Sequence, residues 1–407
     1  MLTADAAGKK VSLPSENGPA IWLVLDLAPK KRGSLEEQLL ALGRRLGTIG
    51  ARATLVVSKA PPEWMAAALA QSAVTVRVLD FRHPGLAALQ FVRWLEEERP
   101  ALVHFHFVRA YSPLVAAARA VGARVILHDH ITLGQPVKPD AQPRTPVVRL
   151  FVQGYKRARA AALNGLVDRR LAVSRFVAES VRCAEYIADS KLAVVENGID
   201  VTRFGAADKT ALRVELRAGD RPIVACVSRL APEKGVDVLI RAMALVGRDA
   251  LLVLAGDGPD VEACRALAAR LGLGDHVRFL GLRNDVECIY AAADVVVMPS
   301  LWDEAFGLVV VEAMAAGKPV VVTASGAMPE IVEHGRCGLV IPKRDEVAMA
   351  GAIGRLLGDA ALAAAMGEAA RVRAATAYAM PVWLERIVSE YTALLPSLRA
   401  ASSRRAA

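Results

Sequence analysis

Short apolar, β-branched runs alternate along the chain with longer alanine- and leucine-rich stretches of helical periodicity. The first series of runs falls at residues 21–27, 54–57, 74–79, 102–105, 124–127, 171–173 and 193–195. The second falls at 223–227, 250–254, 277–280, 294–298, 319–322 and 339–341. A run followed by an amphipathic helix, repeated, builds βαβ units and a parallel sheet covered on both faces. Two series of six or seven runs therefore predict two such sheets. Asn197-Gly198 and its polar neighbours mark a turn, which sets the seam near residues 197–205. The expected organisation is a flexible arm (1–18), two α/β domains (19–200 and 201–380), and a last helix with a basic tail (381–407). Trp383, Ile387, Tyr391 and Leu394/Leu395 give that helix an apolar stripe. Open parallel sheets bind ligands beyond the carboxyl ends of their strands, so the loops there are where chemistry is expected.

Composition narrows the class. With 54% hydrophobic residues among 407, the chain has ample apolar surface to bury, which excludes a disordered protein. Its five cysteines form no CxxC pair, which speaks against a zinc or disulfide framework and for a reducing compartment. No apolar run approaches the ~20 residues of a membrane span. Asp5 and Glu16 stand where a signal peptide would be basic and then apolar, so the chain reads as cytoplasmic.

The net charge of +9 is unevenly placed. Residues 1–203 carry 28 Lys/Arg against 18 Asp/Glu, or +10; the remainder carries 23 against 24, or −1. Residues 144–182 alone hold nine basic groups and two acidic ones. Such an excess suits nucleic acid, a membrane surface or an anionic substrate. Nucleic acid fits poorly, because few aromatics interleave the charges and no nucleic-acid motif is present. Within the segment, residues 147–163 read as a helix. Val148, Phe151, Val152, Tyr155, Ala158 and Ala162 form its expected core-facing stripe, and Arg149, Lys156 and Arg157 lie away from it. The basic side suits anionic lipid headgroups or a phosphate-bearing acceptor.

The densest chemical signal is residues 293–330, ADVVVMPSLWDEAFGLVVVEAMAAGKPVVVTASGAMPE. A strand ends at Pro299-Ser300, a loop carries Glu304, and Gly307 opens a helix carrying Glu312. The amides of Phe306, Gly307 and Leu308 lie at that helix start, where unpaired N–H groups and the helix dipole favour a diphosphate. Glu304 and Glu312 are close enough in the chain for one ligand to reach both, which suits hydroxyls on two sugars. This E-x7-E pattern resembles the signature of retaining GT-B glycosyltransferases of glycosyltransferase family 4. A second match, VSRLAPEKGVDVLIRAM at 227–243, implies by that resemblance that Arg229 and Lys234 pair with the donor diphosphate and stabilise the leaving nucleotide.

Other segments extend the resemblance. LAGDGP (254–259) and VRFLGLRNDV (277–286) match strand-end loops, the second placing Arg283 where the family holds the nucleobase. Asn197-Gly198-Ile199-Asp200 resembles the interdomain turn. In GAMPE (326–330), Ala327 replaces the usual second glycine, and near Gly33 one glycine stands where the family commonly has two. The resemblance assigns Gly33 to the donor. It also places a histidine after the fifth N-terminal strand at the donor sugar. That is His130, with His128 as the alternative one residue of register away. His106 is a candidate for the acceptor side, and His104 is expected to be buried.

The resemblance thus implies an α/β GT-B enzyme of two facing Rossmann-like domains, with a C-terminal helix crossing back to the first. It moves a sugar from a nucleotide-diphosphate sugar to an acceptor hydroxyl, with retention and with no cofactor or metal. Glu304 would bind sugar hydroxyls and Glu312 the ribose. The acceptor is expected to be a saccharide or lipid-linked saccharide of bacterial polysaccharide or glycolipid assembly, met on the inner face of an anionic membrane. A non-catalytic nucleotide-sugar-binding protein and a nucleotide-sugar epimerase are the alternatives on the same fold.

Overall fold

The computed structural model describes residues 3–4, 10–11, 18–29, 33–132, 146–247 and 249–398, giving only the backbone at 3–4, 10–11, 146–153 and Lys156. The chain divides into two compact units. Unit 1 holds the chain up to Glu196 and again from Trp383; unit 2 is Asn197–Val382.

Within the first eighteen residues, expected to be a loose arm, β1 (Thr3–Ala4) and β2 (Lys10–Val11) form a short antiparallel ladder that sets Thr3 opposite Val11.

The main sheet of unit 1 is built from β3 (Ala20–Leu25), β4 (Arg52–Val57), β5 (Thr75–Val78), β6 (Leu102–His106), β7 (Arg124–Asp129), β8 (Arg169–Ala172) and β9 (Leu192–Val194). Its order is β5-β4-β3-β6-β7-β8-β9, parallel throughout. Every residue of β3 is buried, as expected for a central strand covered on both faces. One face of this sheet packs Trp22, Val24, Val103, Phe105, Val125 and Leu127 against Phe91, Leu95 and Leu114 of the flanking helices.

Unit 2 repeats the plan with β10 (Ile223–Val227), β11 (Leu251–Ala255), β12 (Val277–Gly281), β13 (Val295–Met298), β14 (Val320–Thr323) and β15 (Gly338–Ile341), ordered β12-β11-β10-β13-β14-β15 and parallel. Strand order reverses between β3 and β6 in unit 1, and between β10 and β13 in unit 2. The crevices at these switch points, outside the carboxyl ends of the strands, are the natural ligand sites of such sheets.

The last helix, Met380–Leu394, buries Trp383, Ile387 and Tyr391, the stripe its periodicity indicates. Arg169 pairs with its Glu390 at 2.6 Å, and Arg386 with Glu196.

The basic helix, Pro146–Gly165, departs from its expected orientation. Tyr155, Ala158 and Ala162 are exposed, whereas Ala160 is buried and Leu163 packs on the core. The side chains of Val148, Arg149, Phe151, Val152 and Lys156 lie outside the described residues. Where its side chains are described, the helix is anchored through its C-terminal end alone, so periodicity marked an apolar face that nothing there covers. Among the described residues no single helix is long and apolar enough to cross a membrane.

Candidate functional site

In unit 2 the β10/β13 switch point is locked by backbone contacts. The amides of Leu301 and Trp302 both donate to the Glu233 carbonyl, at 2.9 and 3.0 Å. Gly235 sits at φ +64°, and a Cβ there would lie 2.3 Å from the Pro299 carbonyl oxygen, so only glycine lets the two loops touch. This closeness delivers Lys234 to Glu304: Nζ donates to Oε1 at 2.6 Å, and the buried Ser300 hydroxyl donates to the same oxygen at 2.7 Å. Gly326, at φ +55°, presses on the backbone of Glu304 from the other side, and the Ala327 amide donates to the Glu304 carbonyl at 2.8 Å. Glu304 is therefore fixed in both main chain and side chain. Ala327, in place of a second glycine, leaves this contact intact.

Gly307, at φ +95°, caps the helix Leu308–Ala315. A Cβ on it would meet Met328 at 2.4 Å. The amides of Gly307 and Leu308 stand at the helix start, beyond the reach of intrahelical carbonyls. Phe306 is buried edge-on against Tyr378, at 5.6 Å between ring centroids. Glu312, one turn into the helix, is nearly buried, and its Oε2 accepts a hydrogen bond from the Tyr290 hydroxyl at 3.0 Å. Burial, with Glu312 beside it, raises Tyr290 well above the ordinary phenol range, which keeps it a donor.

Two other expected residues are engaged elsewhere. Arg229 is largely exposed and paired with Glu233. Arg283 is clamped by Asp285 (2.7 and 2.8 Å) and Glu215 (2.8 and 3.2 Å), whose hydrogen bonds raise its pKa further. Unit 2 therefore ties Lys234 and Ser300 to Glu304 and follows it with the helix that Gly307 caps and Glu312 sits on, while Arg229 and Arg283 are held in ion pairs.

In unit 1, Gly33 precedes the helix Ser34–Thr48 in an extended conformation, φ −121° and ψ 169°, that any residue adopts. Arg32 lies outside the described residues. His104 and His106 alternate on β6, and His128 lies on β7 opposite His106 in register, with His130 just beyond the strand. Alternate strand residues share a face, so the four rings gather there. Centroids are 4.1 Å apart for His104–His106, 5.3 Å for His106–His128 and 4.3 Å for His128–His130. His104 Nδ1 bonds the Tyr391 hydroxyl at 2.6 Å, and His106 Nδ1 bonds His130 Nε2 at 2.9 Å. His106 is buried in this cluster rather than spread along an open wall.

Desolvation is the main reason all four imidazoles stay neutral. It drives His104, His106 and His128 well below the usual histidine range and His130 to about 3, and neighbouring rings add to the effect in the first three. The Val195 backbone opposes this at His128 without reaching hydrogen-bond geometry.

Beyond the carboxyl ends of β3, β4 and β5 lies a cleft that the sequence pattern did not mark. A cavity of about 530 Å³ is lined by Asp26, Ser58, Lys59, Asp80, Phe81 and Arg82. A second of about 240 Å³ shares Asp26 and Phe81 and adds Phe107, Arg109, Tyr111 and Ser112. Partial burial raises the Asp26 carboxyl. The available signal was positional, since these residues follow strand ends.

Comparison with known proteins places this geometry. The family described as Glycosyl transferases group 1 matches residues 208–373, and Glycosyltransferase Family 4 matches residues 35–203. The GDP-mannose-dependent alpha-(1-6)-phosphatidylinositol monomannoside mannosyltransferase of Mycobacterium tuberculosis is 33% identical over 382 residues, covering 86% of this chain and 92% of its own. The chain belongs to the family 4, group 1 glycosyltransferases.

Another relative, the D-inositol 3-phosphate glycosyltransferase of Nocardia farcinica, is 35% identical over 255 residues, 56% of each chain. HepE of Anabaena, solved with UDP, superposes with a TM-score of 0.76 at 24% identity over 92% of this chain and 100% of its own. Sucrose-phosphate synthase of Thermosynechococcus elongatus does so with a TM-score of 0.70 at 22% identity, over 94% and 100%. The glycosyltransferase thus has the GT-B fold of two parallel-sheet, Rossmann-like units.

Proposed function

We propose that this glycosyltransferase transfers a hexose, with retention of anomeric configuration, from a nucleotide-diphosphate sugar to a hydroxyl of a glycolipid or polyol acceptor at the cytoplasmic face of a bacterial membrane. The observation that carries the donor half is the Lys234–Glu304–Ser300 cluster beside the Gly307-capped helix start. The amides of Phe306, Gly307 and Leu308, with Lys234 and Arg229, receive the diphosphate as charge develops on the leaving nucleotide. Glu304, held by the adjacent ammonium, accepts hydrogen bonds from sugar hydroxyls, and Glu312 accepts those of the ribose. Arg283 borders the nucleobase and Gly33 the donor. In unit 1 the sugar contact is assigned to His130, with His128 its alternative. The leaving phosphate oxygen takes the acceptor proton on the face from which the nucleotide departs.

The cleft around Asp26, Ser58 and Asp80 is assigned to acceptor hydroxyls, with His106 behind its wall. Two features support a membrane-borne acceptor. The phosphatidylinositol mannoside and inositol phosphate named for the relatives are polyols, one of them a lipid. Unit 1 also exposes Tyr111, Tyr155 and Tyr186, with Arg159 over Tyr111 and Arg157 over Tyr186, an amphipathic combination suited to headgroups.

The test is transfer from a panel of nucleotide sugars to phosphatidylinositol-type and saccharide acceptors, with product configuration read by NMR. An inverted product refutes retention. Unchanged donor affinity and turnover in Glu312→Ala refutes the donor site.

A further inference from the structure

We propose that His104, His106 and His128 form a binding site for one borderline divalent cation of the Zn²⁺ type. Each offers a ring nitrogen, and these atoms all lie within 4.8 Å of one another. Topology produces the arrangement. His104 and His106 are alternate residues of β6 and so share a face, and β7 sets His128 opposite His106 in register.

Hydrogen bonding indicates which nitrogens would serve. The Nδ1 atoms of His104 and His106 are engaged by the Tyr391 hydroxyl and by His130 Nε2. Their Nε2 atoms, and both ring nitrogens of His128, are buried without a hydrogen-bond partner. Unpaired buried polar atoms are costly and uncommon in folded proteins. Metal-bound histidines characteristically hold a partner on one ring nitrogen and the cation on the other, which is the pattern at His104 and His106.

Chemistry selects the ion. Three neutral imidazoles with no carboxylate or thiol among them suit Zn²⁺, Co²⁺ or Ni²⁺, whereas Mg²⁺ and Ca²⁺ require oxygen ligands. Zinc–nitrogen bonds of about 2.0–2.1 Å set ligand nitrogens about 3.4 Å apart in a tetrahedron. Small side-chain rotations therefore have to draw the rings together, with a solvent molecule as fourth ligand. The residues assigned to the donor lie in unit 2 except Gly33 and His130, whose alternative, His128, is a ligand here; the proposal is thus separate from a sugar contact at His130 and excludes one at His128.

Co²⁺ titration of the full, tag-free chain tests it. The expected result is a visible d–d absorption band typical of four-coordinate nitrogen ligation, saturating at one equivalent and bleached by Zn²⁺, with a rise of several degrees in Tm. His106→Gln and His104→Gln, checked for native circular dichroism, abolish the band, while His276→Gln and His334→Gln, away from the cluster, leave it. Absence of a saturable band in the wild-type chain overturns the proposal without recourse to any variant. Its persistence in folded His106→Gln overturns it equally. Transfer activity in metal-free buffer is a separate readout, so loss of one result leaves the other standing.

Discussion

At the scale of single residues, the unit 2 site is an exercise in holding one carboxylate still. Glu304 is fixed by an ammonium and a hydroxyl on its side chain and by Gly326 and Ala327 on its main chain. Lys234→Met removes the charge and leaves Glu304 to Ser300 alone. Its expected cost is roughly 10²–10³-fold in kcat/KM, with the melting temperature little changed. Gly326→Ala acts differently. The added Cβ would lie 2.2 Å from the Glu304 carbonyl oxygen, at a left-handed φ of +55°. A loss of roughly 2–4 kcal/mol in urea denaturation is expected, together with loss of turnover. Glu312 illustrates a residue whose surroundings the chain order conceals. Its spacing from Glu304 was legible, but its bond to Tyr290, twenty-two positions earlier, depended on how two helices meet.

At the scale of elements, Arg170 on β8 ties together Asp129 at the end of β7 and Glu185 at the end of the next helix, Arg175–Glu185. Burial alone would lower its pKa, but the two carboxylates outweigh that and raise it. Arg170→Ala strands two acids in a closed site, and about 3–5 kcal/mol should disappear from the unfolding free energy measured by denaturant titration. Tyr391→Phe is a milder test of the last helix. It leaves His104 Nδ1 without its donor or acceptor, for an expected loss of about 1–3 kcal/mol. Strands were the most legible elements, because β-branched runs between turn residues state their own length. All thirteen main-sheet runs are strands, with no end displaced by more than two residues. The β1–β2 ladder was missed because it is two residues per strand. Periodicity also misled at the basic helix, since it shows where an apolar face lies and not whether anything packs there. The histidine cluster was illegible for a further reason. His106 and His128 become neighbours only through β6–β7 register, and register is a property of the folded sheet.

At the scale of the whole molecule, charge and fold are divided along the same boundary, with the +10 surplus in the stretch up to residue 203. If that surplus meets anionic lipid, retention on phosphatidylinositol-containing vesicles should fall steeply between low and physiological salt, as screening shortens to about 8 Å. The double substitution Arg157→Glu and Arg159→Glu should weaken retention at least about tenfold, leaving soluble-acceptor turnover unchanged. Vesicle co-sedimentation measures both. Chain order adds a further consequence. Unit 1 opens the chain, yet Trp383, Ile387 and Tyr391, which complete its core, come after all of unit 2. At roughly 5–20 residues per second, a ribosome needs about ten to forty seconds to supply them. During synthesis the first-made half must wait, with the β6 histidines uncovered, while the second-made half can close first. A nascent chain interrupted within unit 2 therefore leaves the surface that Trp383, Ile387 and Tyr391 pack on open to quality-control proteases.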